Sequence, residues 1–331
     1  MPPPVSWLLP IRNGERHLEQ TLRSIAHQDY TRQEVLVWDD GSSDRTVEIL
    51  NQWLGSRIPG RIVGHQRVGL GRALAHLVVE SKSELLARID ADDTAEPTRL
   101  SEQSKYLVSN RRVGVLGTHM KVIGEPERVV TQPLDDATIR WSLRFTNPVS
   151  HPSVMMRRSA VLEVGNYRDL PAGKEDYDLW ARLGIIVQFA TLPRYLTHYR
   201  VHEDSATAGW SADHGRSFYE QRNALMDRLL PGIPASDAIR LLDLVRRPED
   251  LGVTGDDLMR FRHAAMCAAR ACRFPATYFT QTDLFKQQYE NLRTRWIKGQ
   301  PFVRPVWPII KKAGKLINKQ SDPSSNDTAA A

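Results

Sequence analysis

The sequence predicts an α/β fold: a mainly parallel sheet flanked by helices, followed by a helical C-terminal extension. Three observations predict it. Strand-like apolar runs alternate with helix-period patterns over the first 118 residues, acidic residues stand where those strands end, and beyond about Ser205 the chain reads as helices joined by polar connectors.

Val5 to Pro10 reads as the first strand. Asn13 and Gly14 then open a helix whose Leu18, Leu22 and Ile25 fall at four- and three-residue spacings, so they share one buried face. Glu34 to Asp39 is the second strand. The cluster from Gly41 to Asp44 supplies a turn and a helix cap, and Val47, Leu50 and Leu54 mark the buried side of the next helix. Arg61 to Gln66 is a strand, followed by a helix from about Leu70 to Lys82. Leu85 to Ile89 is the fourth strand, Pro97 opens a helix ending near Asn110, and Val113 to Gly117 is the fifth strand. After Val130 the order is mixed. Leu134 to Leu143, Ser159 to Val164 and Tyr177 to Leu183 look helical, Ser153 to Arg157 extended, and Gln188 to Val201 forms two short extended runs divided by Pro193. The tail after Gln320, rich in Ser, Asp and Ala, reads as disordered.

With 331 residues, 41% hydrophobic and 25% charged, the chain has the composition of an ordinary globular protein, which excludes wholesale disorder. A net charge of +6 favours anionic partners such as phosphorylated small molecules or acidic membrane surfaces. Basic residues are not gathered with stacking aromatics outside the late segment, so nucleic acid is not expected. Cys267 and Cys272 lack the further ligands of a zinc site and read as buried thiols. Neither a signal segment nor a run of about 18 apolar residues occurs, so a cytoplasmic protein is expected, with at most peripheral membrane attachment. Arg293 to Lys319 interleaves Arg295, Lys298, Arg304 and Lys311 with Trp296, Phe302 and Trp307. That pattern suits an interfacial element on anionic lipid, and equally a solvated basic tail.

Acidic residues carry the chemistry, because open parallel sheets bind ligands in the crevice above the strands' carboxyl ends. The first group is Asp39 and Asp40 in WDDGSSD, where a carboxylate can accept hydrogen bonds from a base or ribose and Gly41 lets backbone approach closely. The second is Asp90, Asp92 and Asp93 in RIDADD. In extended backbone Asp90 and Asp92 project together and Asp93 points away. Two such carboxylates repel unless a cation lies between them, and Mg²⁺ or Mn²⁺ prefers carboxylate and phosphate oxygen. The third is Glu175 and Asp176, at the head of a helical pattern.

In order, LLPIRNGERHLEQTLRSIAHQDY, EVLVWDDGSSDRT, LLARIDADDTAEPTRLSEQ, HPSVMMRRSAVLEVGNYRD, KEDYDLWARL and YRVHEDSAT resemble glycosyltransferase family 2, inverting enzymes of the GT-A (nucleotide-diphospho-sugar transferase) fold. The resemblance implies a GT-A domain over 1–205, with a nucleotide half at 1–118 and an acceptor half at 119–205. A helical extension at 206–320 and a disordered tail at 321–331 follow. It also implies site roles. Pro10 and Asn13 resemble the first nucleotide loop, Asp40 the aspartate that contacts the base, and Asp90 and Asp92 the DxD pair. Asp92 and His202 would hold a divalent metal, Mn²⁺ or Mg²⁺, and Asp176 resembles the catalytic base. Asp39, Arg72, Asp93, His151 and Glu175 are further candidates, His151 and His198 competing with His202 for the late-histidine role. Ala75 and Thr98 depart from residues common in relatives and bear on donor preference.

The expected reaction moves a sugar from a nucleoside diphosphate sugar, UDP-linked first, to a saccharide or lipid-linked hydroxyl in surface polysaccharide synthesis. Rival readings are a nucleotidyltransferase, which would need a basic, Gly-rich first loop where this chain has only Arg12 and Arg16, and a non-catalytic sugar-nucleotide-binding protein. A dinucleotide oxidoreductase is disfavoured because PIRNGE replaces the Gly-x-Gly-x-x-Gly turn.

Overall fold

The structure is a computed structural model and describes residues 1–124, 128–171, 173–202, 220–225, 229, 233–246, 252–271 and 274–299. Its centre is β1 (Val5–Ile11), buried over its whole length. Period-two alternation splits this strand between two cores: Val5, Trp7, Leu9 and Ile11 face one side, Leu8 the other. On the first side lie α1 (Leu18–Ala26), α2 (Thr46–Trp53) and α4 (Arg99–Ser109). On the second lie α3 (Leu70–Glu80), α6 (Arg158–Glu163) and α7 (Glu175–Ile186). Helices therefore cover both faces, as the alternation in sequence requires.

The nine-stranded sheet runs β3-β2-β1-β4-β8-β6-β9-β5, with β7 paired to β6. Its first part is parallel, joining β3 (Gly60–His65), β2 (Gln33–Asp39), β1 and β4 (Leu85–Arg88). The sheet then becomes mixed. β8 (Met155–Arg157) is antiparallel to both β4 and β6 (Val113–Ile123), whereas β9 (Gln188–Arg200) is parallel to β6. Two short strands not expected from sequence, β5 (Thr94–Ala95) and β7 (Arg128–Val130), add antiparallel edges.

Several expectations need correction. α2 buries Thr46, Ile49, Leu50 and Trp53, leaving Val47 and Leu54 only partly covered, because the helix starts with Thr46 turned inward. The fifth strand does not stop at Gly117. A Cβ there would lie 3.1 Å from Gln132 Oε1, so this glycine serves close packing and β6 continues. Gln188 to Arg200 is one strand: the register jumps from Thr118↔Leu192 to His119↔Tyr195, so Pro193 and Arg194 bulge out and the missing proline N–H costs no ladder bond. Cys267 is half-buried, its Sγ 3.3 Å from His263 Nε2; Cys272 lies outside the described residues.

The C-terminal helices α8 (Ala235–Arg246), α9 (Gly255–Ala271) and α10 (Asp283–Gly299) share a core with α5 (Asp136–Ser142). Trp141 of α5 is the anchor. Its ring lies 5.4 to 5.8 Å from those of Phe261, Phe279 and Phe285, and its Nε1 donates to Gln288 Oε1 at 2.6 Å. Such ring pairs each contribute about 0.5–1.5 kcal/mol beyond area burial. Among the described residues no helix is long and apolar enough to cross a membrane. Of the basic, Trp-containing segment only the part up to Gly299 is described, and the tail after Gln320 lies outside the described residues.

α3 meets the segment before α7 at Gly71. A Cβ at this position would stand 2.3 Å from the Arg168 carbonyl oxygen, which is backbone and has little room to yield. Gly71→Ala is expected to cost about 1–3 kcal/mol in denaturant unfolding. Gly252→Ala, which meets open space, is the control and should cost far less.

Candidate active site

The carboxyl ends of β1, β2 and β4 form one rim, and the loops there are stitched together by the polar residues that the sequence singles out. Pro10 is buried in β1 opposite Trp38, so the rim receives Ile11 and Asn13 from this strand. Asn13 adopts φ +51°, a left-handed conformation that asparagine tolerates. Its Oδ1 accepts from the Ser43 N–H at 2.9 Å, and its own N–H donates to Ser42 Oγ at 2.9 Å. Asp39 is fully buried, accepts the Ser42 N–H at 3.0 Å and pairs with His65. Asp40 uses Oδ1 to accept the N–H groups of Val68 and Gly69, at 2.5 and 2.8 Å. That carboxylate therefore fixes the start of α3, where Gly69 takes φ +85°. Arg72, on the first turn of α3, pairs with Asp169 at 2.6 Å.

At the end of β4 the extended-strand expectation fails. The strand stops at Arg88, and the chain turns, with the Asp93 N–H donating to the Asp90 carbonyl at 3.2 Å. Asp93 is thus swung back towards its neighbours, and Asp90, Asp92 and Asp93 each bring one carboxylate oxygen within 4.8 Å of the others. Arg200 clamps this turn: its N–H donates to Asp93 Oδ1 at 2.8 Å, its Nε to the Asp92 carbonyl at 2.9 Å, and its Nη2 to Gln20 at 2.7 Å. Beneath the cluster, buried Arg88 is ion-paired with Asp90. Burial pushes the carboxyl groups of Asp90 and Asp93 above the usual range. Arg88 opposes this at Asp90, and the like charges of Asp90 and Asp92 add to it at Asp93.

The three candidate histidines part company. His202 Nε2 lies 2.9 Å from Asp92 Oδ2, on the acidic cluster. His198 pairs with Glu96 at 3.0 Å. His151 sits in a buried 3-10 turn (His151–Ser153), with Nε2 2.9 Å from Tyr167 Oη and Nδ1 3.9 Å from Glu175. Burial drives its imidazole well below its ordinary value, so it is a neutral partner.

Glu175 and Asp176 form the first turn of α7, as the sequence suggests. Glu175 Oε2 accepts from the N–H groups of Gly173 and Lys174, at 2.8 and 3.0 Å. Asp176 is 9% exposed; its Oδ1 accepts from the Tyr177 N–H at 2.6 Å and its Oδ2 from Asn147 Nδ2 at 2.7 Å. Burial, then the charge of Glu175, push this carboxyl up to about 7. Asp178, the third acid of the helix, is paired with Arg182 at 2.6 Å and serves the fold. Gly71 brings the start of α3 against α7, since a Cβ there would lie 3.6 Å from Glu175 Cβ, just two residues after the glycine that Asp40 holds. Arg88 links Asp176 to the cluster, acting electrostatically on Glu175 and Asp176 while paired with Asp90. A separate groove of about 520 Å³ lies along α1 against Ala95 and Pro97 and takes in none of these carboxylates.

Sequence reasoning missed Asn147, Arg88 and Arg200. Arg88 sits inside an apolar strand pattern, and Asn147 in an Asn-Pro step that reads as turn chemistry.

Comparison with known proteins agrees with this architecture. The description of Glycosyl transferase family 2 matches residues 6–165. The chain is 31% identical over 215 residues to the amylovoran biosynthesis glycosyltransferase AmsE of Erwinia amylovora, covering 62% of this chain and 80% of that one. The crystal structure of S. aureus TarS 1–349 in complex with UDP-GlcNAc aligns with a TM-score of 0.60 at 17% identity, over 92% of this chain and 91% of that one. The mannosyltransferase PcManGT from Pyrobaculum calidifontis, in complex with GDP-Man and Mn²⁺, aligns with a TM-score of 0.52 at 18% identity, over 89% and 84%. At such identities the two structures speak for the fold alone. Taken with the AmsE match and the family description, they leave one assignment: this chain is a member of glycosyltransferase family 2, on the GT-A fold.

Proposed function

We propose that the chain is an inverting, metal-dependent glycosyltransferase that takes a sugar from a nucleoside diphosphate sugar, UDP-linked in the first instance. The acceptor is a saccharide or lipid-linked hydroxyl in surface polysaccharide synthesis. One observation carries the reading: Arg88, ion-paired with Asp90 in a carboxylate cluster suited to a cation, also acts on a separate buried carboxyl at the head of α7, Asp176, that is pushed up to about 7.

The residues fit a hard divalent ion. Three carboxylates and one imidazole converge, and Asp93 Oδ2 is buried with no hydrogen-bond partner among the described residues. In this reading Asp92 and His202 would hold Mn²⁺ or Mg²⁺, with Asp90 and Asp93 beside them. Such an ion would offset charge on the departing diphosphate. Asp40 and Asn13 would support the loops that embrace the nucleotide. Asp176 accepts the proton of the acceptor hydroxyl as that oxygen bonds to the anomeric carbon. The carbon–oxygen bond to the diphosphate breaks with its electron pair leaving on the nucleotide, so one displacement inverts the centre and needs no covalent enzyme intermediate.

TarS with UDP-GlcNAc supports UDP as the first nucleotide to try, and AmsE, named for amylovoran biosynthesis, supports the polysaccharide setting. A thermal-shift screen of UDP-, GDP- and dTDP-sugars with Mn²⁺ tests the donor. A cognate donor at 100-fold over its Kd stabilises the fold by about 2.7 kcal/mol, and slow release of free nucleotide from that donor distinguishes a transferase from a non-catalytic binder. A chain stabilised by none of them is not a nucleotide-sugar enzyme.

A further inference from the structure

Asn147 lies between α5 and the 3-10 turn, immediately before Pro148, and its amide has two distinct ends. Oδ1 accepts from the Val149 N–H at 3.4 Å, and Nδ2 donates to Asp176 Oδ2 at 2.7 Å. The reverse orientation would set an amide oxygen against a carboxylate oxygen, so the observed one is the favourable one. With the Tyr177 N–H on Oδ1 and Asn147 on Oδ2, the Asp176 carboxylate is held at both oxygens by donors from two separate segments.

We propose that Asn147 is a positioning residue for the reaction: it fixes the orientation of the Asp176 carboxylate at the head of α7 and favours its proton-accepting form. This rests on Asp176 being the base. The charged and titratable groups around Asp176 are Glu175 on its own helix, Arg88 from β4 and Tyr167 from the segment after α6. His151 engages Tyr167 and Glu175 and is neutral. Glu175 and burial favour the protonated acid; Arg88, the Tyr177 N–H and Asn147 oppose them. Of the opposing groups, Asn147 is the side chain in direct contact. Without it the carboxyl rotates more freely and holds its proton to higher pH, so both the share of active base and its aim suffer.

The test uses the full chain labelled with ¹³C at the Asp carboxyl carbons, with Asp176→Asn identifying the Asp176 signal. In Asn147→Ala the Asp176 titration midpoint should move up by about one pH unit, a tenfold loss of base below the midpoint. Asn147→Asp keeps the side-chain shape but adds a like charge, and should move it further. In step, the acid limb of kcat for nucleotide release should shift upward, the deficit being largest below pH 7 and shrinking at pH 9, whereas a merely structural defect lowers kcat alike at every pH. An unchanged Asp176 midpoint in both variants overturns the role of Asn147 alone. Near-native turnover in Asp176→Asn overturns the base assignment, and this proposal with it.

Discussion

Asp176→Asn is expected to lower kcat by roughly 10²- to 10⁴-fold while leaving nucleotide affinity near that of the wild type. The side chain stands at the head of α7, apart from the Asp90–Asp93 turn, so an amide there removes the proton acceptor without touching the cation cluster. Because burial and Glu175 push this carboxyl up to about 7, kcat should rise with pH through that value in the wild type, and the residual activity of the variant should lose that limb. The same shift affects stability. A folded-state value above the ordinary 3.8 means that the folded chain binds more protons between about pH 4 and 7, so this group's contribution to stability falls as pH rises through that window. Asp176→Asn should therefore show a shallower fall of Tm between pH 5 and 7. Unaltered kcat in a folded variant would remove Asp176 from the mechanism.

Much of this site could be read before any coordinates, for reasons that differ by position. Helix and strand periods match β1 to β4 and their helices to within a residue or two, except that α1 starts at Leu18 and not at Asn13 and Gly14, whose loop is held instead by hydrogen bonds to Ser42, Ser43 and Thr46. The acids at strand ends are legible because open parallel sheets in general bind ligands there. What sequence could not supply is the shape of the turns. Asp93 was expected to face away on the assumption of extended backbone, but the turn after Arg88 brings it into the cluster. Arg200 and Asn147 act through partners 107 and 29 residues away, contacts that no local period encodes. Pro193 reads as a break because a proline interrupts a ladder, yet a bulge absorbs it. Choosing His202 over His151 and His198 likewise needed three-dimensional neighbours: Asp92 for the first, Tyr167 and Glu96 for the others.

Asp92→Ala is the second large effect. Within the cluster, Asp90 is engaged by Arg88 and Asp93 is buried against the Arg200 N–H. Asp92 is partly exposed like Asp90 but is not tied to Arg88, and its Oδ2 is directed to His202. It is thus the carboxylate best placed for an ion and a diphosphate arriving from solvent. Losing an outer partner of a bound metal typically costs 10–100-fold in affinity, so losing a direct ligand should cost about 100-fold or more. The loss should be confined to metal-dependent binding, because Asp40 and Asn13 hold their own loops without help from this turn.

The measurement that bears most directly on a metal–diphosphate site at this rim is calorimetric titration of UDP into the wild-type chain and Asp92→Ala, each with and without Mn²⁺. Mn²⁺ should tighten UDP binding strongly in the wild type and leave it almost unchanged in Asp92→Ala. Equal Mn²⁺-dependent tightening in the two proteins would contradict the site.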